Sequence, residues 1–204
     1  MINSQKTMRN EVDALLSVDC DYIVGPSGSC VNMLHEFRMH LADDPEYGPK
    51  AEMLANKSYE FSQFLYRVLH IIDAGAELDA KATFHRSCHM TRLLGERVAP
   101  FVLLDHVKGL QMIPLPHIEN CCGFGGLFSV KEPEISKLMV DEKVDDVTST
   151  GADILIGADQ ACLMNIGGRF SRRKEPIKIM HIAEVLNSNV DMSRVRYADT
   201  PATV

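Results

Sequence analysis

The chain has 204 residues, of which 46% are hydrophobic and 24% charged, and this is the composition of a globular protein with one domain or two small ones. Its net charge of −7 excludes the basic footprint of a nucleic-acid-binding protein. No apolar run approaches the roughly 18 residues of a membrane span, and the N-terminal segment has no apolar core of a secretory signal. We therefore expect a cytoplasmic protein that does not span a membrane.

The apolar spacing predicts helices that alternate with short strands. In chain order we predict a helix over 3–19, a strand over 21–25, a helix from Cys30, a helix over 51–72, a strand over 81–85, a helix over 86–95, a strand over 109–115, a helix over 132–150, a strand over 152–157, a helix from Ala158, a strand over 177–181 and a helix over 182–189. This alternation is typical of an α/β protein with a parallel, Rossmann-like sheet flanked by helices.

Two segments of the chain resemble each other. VGPSGSCVNML at 24–34 and IGADQACLMNI at 156–166 each combine a strand, a loop of small residues, a cysteine and an apolar helix start. The similarity predicts two related cysteine-bearing halves, of which the first is incomplete. We place the first half at 1–80, where it includes a connecting helix, the second at 81–190, and a loose tail at 191–204.

Cysteines dominate the candidate chemistry. Of the six in the chain, five follow a predicted strand, namely Cys30, Cys88, Cys121, Cys122 and Cys162. Because ligands of parallel sheets bind beyond the carboxyl ends of the strands, we expect these thiols to converge at one sheet edge. Cys20 lies in a helix-to-strand connection instead, and we expect it to be a small buried residue.

Three chemistries compete for these thiols, since a reducing compartment disfavours a disulfide framework. Structural zinc prefers spaced C-x2–4-C pairs, which this chain lacks. A vicinal disulfide switch at Cys121 and Cys122 would leave Cys88 and Cys162 unexplained. An iron–sulfur cluster distributes its ligands over several irons, so adjacent cysteines can each bind a different iron. We favour the cluster, with zinc and a thiol–disulfide redox role as the alternatives.

Two histidines flank Cys88. His89 follows it directly and is a candidate to replace a missing ligand or to donate a hydrogen bond to a cluster sulfide, although a loop histidine without metal contact is an equal alternative. His85 precedes Cys88 by three positions, and we expect it to be structural. His181 ends a strand, and we expect a hydrogen-bonded residue near the core there.

The cysteine segments carry a family resemblance. HRSCHMTRLLG at 85–95, NCCGFGGLFSVK at 120–131 and LIGADQACLMNIGGR at 155–169 resemble the cysteine-rich CCG domain of iron–sulfur oxidoreductases. That family includes the catalytic subunit of heterodisulfide reductase and the iron–sulfur subunit of glycolate oxidase. Within it, the chain is most similar to the bacterial lactate-utilization proteins, over about residues 5–189.

The resemblance implies a cluster of the 4Fe–4S type bound by Cys88, Cys121, Cys122 and Cys162, with Cys30 as an outlying or bridging ligand. It implies an electron-transfer subunit of a complex that oxidises L-lactate, a 2-hydroxy acid, to pyruvate, rather than a complete enzyme. The implied partners are two other lactate-utilization proteins, one of them also an iron–sulfur protein, and a homo-oligomer stays open. No nicotinamide site is expected, since no G-x-G-x-x-G motif follows a strand.

The chain departs from the family pattern at three places. PSGSC at 26–30 looks like the last cysteine of a first module, so residues 1–80 resemble the C-terminal remnant of that module and 81–190 a complete one. Asp159 stands where the heterodisulfide reductase type has a further cysteine, three positions before Cys162. Gln160 stands where some relatives add another. A non-catalytic subunit with zinc or a partial cluster is therefore the alternative function.

Overall fold

The computed structural model describes residues 2–198, with side chains from Ser4 onward. The first half contains α1 (Ile2–Leu16), β1 (Ile23–Gly25), α2 (Gly28–His40), α3 (Tyr47–Lys57), β2 (Ser58–Glu60), α4 (Phe61–Gln63), a π-helical turn (Phe64–Val68) and β3 (Ile71–Asp73). The second half begins in the structure at β4, four residues before the predicted boundary. Together with the tail it contains β4 (Glu77–His85), a π-helical turn (His89–Leu93), α5 (Ala99–Asp105), β5 (Lys108–Met112), α6 (Leu127–Lys131), α7 (Pro133–Ser149), β6 (Ile154–Gly157), α8 (Gln160–Arg173), β7 (Lys178–His181), α9 (Ile182–Leu186), a 3-10 turn (Met192–Arg194) and β8 (Arg196–Tyr197).

The second half is built on a parallel four-stranded sheet of order β5-β4-β6-β7, which confirms the predicted α/β class. His85 at the end of β4 is level with Gly157 of β6, and Gly157 is level with His181 of β7. The chain passes from β4 to β5 on one side and then places β6 on the other side. Such a switch in strand order opens a crevice beyond the carboxyl ends of the strands.

Both faces of the sheet are covered by helices. Ile154 and Ile156 of β6 pack into one apolar cluster with Leu103 of α5 and Val185 of α9. Leu155, between them, packs on the opposite face into a cluster formed largely by α7 and α8. This alternation follows from the two-residue period of a strand. Each fully buried side chain of this size contributes about 1.5–3 kcal/mol.

The first half packs its three long helices around Val12, Phe37 and Leu54. Next to them, β1 and β2 form a two-stranded parallel sheet. The two halves meet where α2 begins. A Cβ atom on Gly28 would lie 2.7 Å from the Cβ of Met90, so only glycine permits this approach. The carbonyl oxygen of Pro26 accepts a hydrogen bond from His181 Nε2 at 2.8 Å.

The prediction of one continuous helix over 51–72 is wrong, because the chain leaves α3 at Ser58 and becomes helical again only at Phe61. The Ser58 hydroxyl donates to the carbonyl of Leu54 at 2.7 Å, and the backbone becomes extended to pair with β1. Glu60 then starts a new turn, since its carboxylate accepts the backbone N–H groups of Ser62 and Gln63. The apolar spacing continues across the break because Leu54 and Phe61 pack into different clusters.

All five predicted strands are present, as β1, β4, β5, β6 and β7. The tail differs in part from its prediction. Within the tail predicted to be loose, β8 pairs antiparallel with β3, and Arg196 Nη2 donates to Asp73 Oδ2 at 3.1 Å. The rest of that tail, from 199 on, lies outside the described residues. Over residues 2–198, no helix combines the length and apolar character that a membrane span requires.

Candidate metal centre

A cavity of about 470 Å³ lies at the junction of the two halves. Its lining includes all the thiols that were predicted to converge, namely Cys30, Cys88, Cys121, Cys122 and Cys162. Cys20 is not among the lining residues and, contrary to the prediction, is partly exposed. The reason is that the connection from α1 to β1 runs along the surface, where Lys57 Nζ donates to the Cys20 carbonyl at 2.7 Å.

The thiols differ in exposure. Cys122 and Cys162 are buried, with 2% and 8% of their surface exposed, while Cys88 and Cys121 are partly buried and Cys30 is exposed. Cys30 and Cys162 lie in the first turns of α2 and α8, and Cys88 directly precedes a π-helical turn. The N-terminus of a helix favours the thiolate, which is the form that binds metal.

The two similar sequence segments have the same local structure. In the first, a Cβ atom on Gly25 would lie 2.6 Å from Val31, the residue after Cys30. In the second, a Cβ atom on Gly157 would lie 2.8 Å from Leu163, the residue after Cys162. In both, a glycine ends a strand so that the cysteine-bearing helix can pack closely against it.

The sulfurs are connected to one another. S–H contacts link Cys88 to Cys121, Cys121 to Cys122, and Cys122 to Cys162. The pKa of Cys121 is strongly lowered because the thiols of Cys122 and Cys88 donate to its sulfur. The pKa values of Cys88 and Cys122 are raised, above all by their hydrogen bonds to that same sulfur. Among the linked thiols, Cys121 is therefore the one whose thiolate form is favoured.

Backbone N–H groups point at three of these sulfurs. The N–H of Gly123 donates to the Cys121 sulfur at 3.4 Å, and the N–H groups of Phe124 and His89 donate to Cys122 and Cys88. Such bonds favour the thiolate, and in a bound cluster they tune its potential.

The loop that carries Cys121 and Cys122 is fixed by α7 and α8. Gly123 has φ +81°, and a Cβ atom there would lie 2.6 Å from the carbonyl oxygen of Ser136. The hydroxyl of Ser136 donates to the Gly123 carbonyl at 2.8 Å, and Asn165 Nδ2 donates to the Cys122 carbonyl at 2.9 Å. The glycine is thus required for both the turn and the contact with α7.

The histidines near the thiols have different surroundings. His85 is 1% exposed, and its ligand nitrogen and the sulfurs of Cys122 and Cys162 all lie within 4.8 Å of one another. Burial, and next the positive charge of Lys143, lower the pKa of His85 to about 4, so the ring is neutral. Nδ1 of His89 lies 3.5 Å from the Cys88 sulfur. His181 caps α9 through the N–H of Ala183, as expected for a hydrogen-bonded residue near the core.

Lys143 is a functional candidate that the sequence analysis missed. Its side chain is fully buried, and Nζ donates to the carbonyl of His117 at 3.0 Å. The pKa of Lys143 is lowered overall, because burial has the largest effect. The nearby acids and the Cys122 and Cys121 sulfurs act in the opposite direction. A signal existed, because a lysine stands inside the apolar stripe that α7 buries against the sheet at Val140 and Val144.

Asp159 lines the cavity but has other partners. Its Oδ1 accepts the N–H of Ala161 at 3.2 Å and thereby caps α8. Its Oδ2 accepts the N–H of Ser29 at 3.0 Å. The carboxylate therefore connects the two halves.

The donor set fits an iron–sulfur cluster. It offers several thiols, N–H donors for sulfur, a buried cation that can balance an anionic group and an imidazole without a hydrogen-bond partner in the described part of the chain. A mononuclear zinc ion would be served by His85, Cys122 and Cys162, whose ligand atoms are close together. Zinc would leave Cys88 and Cys121 unused.

Comparison with known proteins gives a consistent result. The family model described as a cysteine-rich domain, CCG, matches residues 82–167. Lactate utilization protein A of Exiguobacterium sp. is 54% identical over 187 residues, which cover 92% of this chain and 76% of the relative. The protein of the same name from Bacillus cereus (strain G9842) is 58% identical over 83% of this chain and 71% of the relative. That from Bacillus subtilis (strain 168) is 54% identical over 91% and 77%.

Proposed function

This chain belongs to the lactate utilization protein A family, and we propose that it is the iron–sulfur electron-transfer subunit of a complex that oxidises L-lactate to pyruvate. One observation carries the proposal: Cys88, Cys121, Cys122 and Cys162 line one cavity. A cluster with several irons needs several thiolate ligands close together, and these linked thiols in a single crevice provide them.

In this proposal, the four linked thiols would hold a cluster of the 4Fe–4S type, and Cys30 is an outlying ligand at the exposed side. When bound, the cluster supplies one-electron redox chemistry. The chain itself provides the environment. The N–H groups of Gly123 and Phe124 and the buried charge of Lys143 stabilise negative charge on the sulfurs. These contacts favour the acceptance of an electron.

The burial of the thiols suggests where electrons enter and leave. Cys122 and Cys162 are buried against the sheet, while Cys30 is exposed. Oxidation of lactate to pyruvate releases two electrons and two protons, and this subunit passes the electrons on. We propose that two other lactate-utilization proteins, one with iron–sulfur clusters of its own, act with it at the exposed side. Reduced thiols also favour a cytoplasmic location.

The test is anaerobic purification followed by iron and sulfide analysis and by EPR of the reduced protein. We expect iron and sulfide in the wild type, near-background iron in Cys122→Ser, and full iron in Cys20→Ser, whose thiol lies outside the cavity. Reduction of the cluster by lactate should require the partner proteins. Stoichiometric zinc without iron after anaerobic reconstitution would contradict the proposal.

A zinc-binding, non-catalytic subunit is the second candidate, favoured by the close grouping of His85, Cys122 and Cys162. It predicts zinc content that persists in Cys88→Ser, because Cys88 lies outside that group. A thiol–disulfide role of the adjacent Cys121 and Cys122 predicts loss of two thiols on mild oxidation and no metal. The same metal and thiol analyses separate all three functions.

A further inference from the structure

His85 is the least explained polar side chain near the cavity. It is 1% exposed, and neither Nδ1 nor Nε2 has a hydrogen-bond partner among the residues that the structure describes. A buried polar atom without a partner costs about 1–3 kcal/mol. A neutral imidazole has an N–H on one nitrogen and a lone pair on the other, so His85 leaves one donor and one acceptor unpaired.

The backbone holds His85 in place. It is the last residue of β4, which lies between β5 and β6 in the sheet. Its neighbour in register on β6 is Gly157, against which Leu163 of α8 packs. The residue before it, Phe84, packs into the apolar cluster on the other face. The ring of His85 is therefore on the side of the sheet where Cys122 and Cys162 lie.

The Asp159 carboxylate is not available as a metal ligand in place of His85. Asp159 lines the cavity, but both of its oxygens already accept backbone N–H groups, from Ser29 and Ala161. The ring nitrogens of His85, in contrast, have no hydrogen-bond partner among the described residues. The ligand atom of His85 lies within 4.8 Å of the two most deeply buried sulfurs of the site.

We propose that His85 binds one iron of the iron–sulfur centre through a ring nitrogen, on the buried side with Cys122 and Cys162, as a ligand in addition to the four thiols, so that this iron has two protein ligands. This inference rests on the proposed function. An iron accepts the lone pair of the unprotonated ring nitrogen. The bound group thereby explains the unpaired acceptor nitrogen of His85.

The test is pulsed EPR of the reduced, anaerobically reconstituted protein, made once with natural-abundance histidine and once with 15N-labelled histidine. We expect a nitrogen hyperfine coupling that changes with the label, is lost in His85→Ala and is kept in His89→Ala. His89 is the matched control, because it neighbours Cys88 and also lines the cavity. In a chelator challenge, iron should leave His85→Ala about tenfold faster or more.

The outcomes separate this inference from the proposed function. A wild type with full iron and a cluster EPR signal, but without a coupling that responds to the label, overturns the histidine ligand and leaves the electron-transfer function intact. A coupling lost in His89→Ala and kept in His85→Ala also overturns it. A wild type that binds no iron contradicts the proposed function itself. If His85→Ala does not fold, His85→Asn and the labelled wild type give the same decision.

Discussion

The backbone N–H of Ser29 donates to Oδ2 of Asp159 at 3.0 Å, although 130 residues separate the two in the chain. The other oxygen of Asp159 caps α8. One carboxylate thus connects the first turn of α2, which carries Cys30, with the first turn of α8, which carries Cys162.

Replacing this carboxylate should weaken the junction in a graded way. Asp159→Ala loses a helix cap and a buried hydrogen bond to a charged acceptor, and we expect a loss of about 2–4 kcal/mol in the free energy of unfolding. Asp159→Asn retains one acceptor oxygen and should lose about half as much or less. Chemical denaturation measures both. Asp191→Ala is the control, since it removes an exposed cap far from the site; equal losses in Ala and Asn at 159 would contradict the prediction.

Cys121 should be a thiolate in the metal-free protein at pH values where a free cysteine, with a pKa of about 8.5, is protonated. The thiols of Cys122 and Cys88 lower its pKa by donating to its sulfur. Ultraviolet absorbance of the thiolate, titrated anaerobically, should show one thiolate per chain that persists at pH 6. Cys121→Ser should remove it, and Cys20→Ser should not. A titration with no thiolate below pH 7 would show that the S–H contacts are absent in solution.

Gly123 and Gly126 offer a matched pair in the same loop. Both have positive φ, but a Cβ atom on Gly126 meets nothing within 4 Å, whereas one on Gly123 meets the Ser136 carbonyl at 2.6 Å. Gly126→Ala should cost about 1–3 kcal/mol from the backbone alone. Gly123→Ala should cost more and should also lower iron retention, because the loop must move away from α7. Thermal unfolding and iron analysis check this, and similar effects at both positions would refute it.

Glu60 should make stability depend on pH. Burial raises the pKa of Glu60 from 4.5 to about 7, partly opposed by hydrogen bonds from Ser62 and Gln63. The raised pKa means that the folded state binds the proton of Glu60 more tightly than the unfolded state does. The resulting contribution to the free energy of unfolding is fully present below pH 4.5 and is lost as the pH rises to about 7. The free energy of unfolding that is lost over this pH range is on the order of 3 kcal/mol.

The measurement is the free energy of unfolding at several pH values in wild type and Glu60→Gln. The free energy of unfolding of Glu60→Gln minus that of wild type should increase between pH 4.5 and about 7 and then become constant. A constant difference between Glu60→Gln and wild type would exclude the raised pKa.

Local signals made much of this structure predictable. Short apolar runs with a small-residue loop behind them predicted the strands of the main sheet. The cysteines after β4, β5 and β6 predicted the convergence at the cavity, whereas Cys30 reaches it from the separate sheet of β1 and β2. Features that depend on distant partners were not predictable. The helix break at Ser58 requires β1 as a partner, and β3 requires β8 from the far end of the chain. The isolation of His85 and the burial of Lys143 follow from packing, which residue spacing does not reveal.

The paired geometry of Gly25 with Val31 and of Gly157 with Leu163 has a use beyond this chain. Each unit is short and contiguous: a strand-ending glycine, a cysteine five positions later, and an apolar residue that rests on the glycine. Written as a pattern, it can be sought in sequences that lack adjacent cysteines, and it can guide the engineering of new thiol sites. Any parallel strand followed by a helix is then a candidate scaffold.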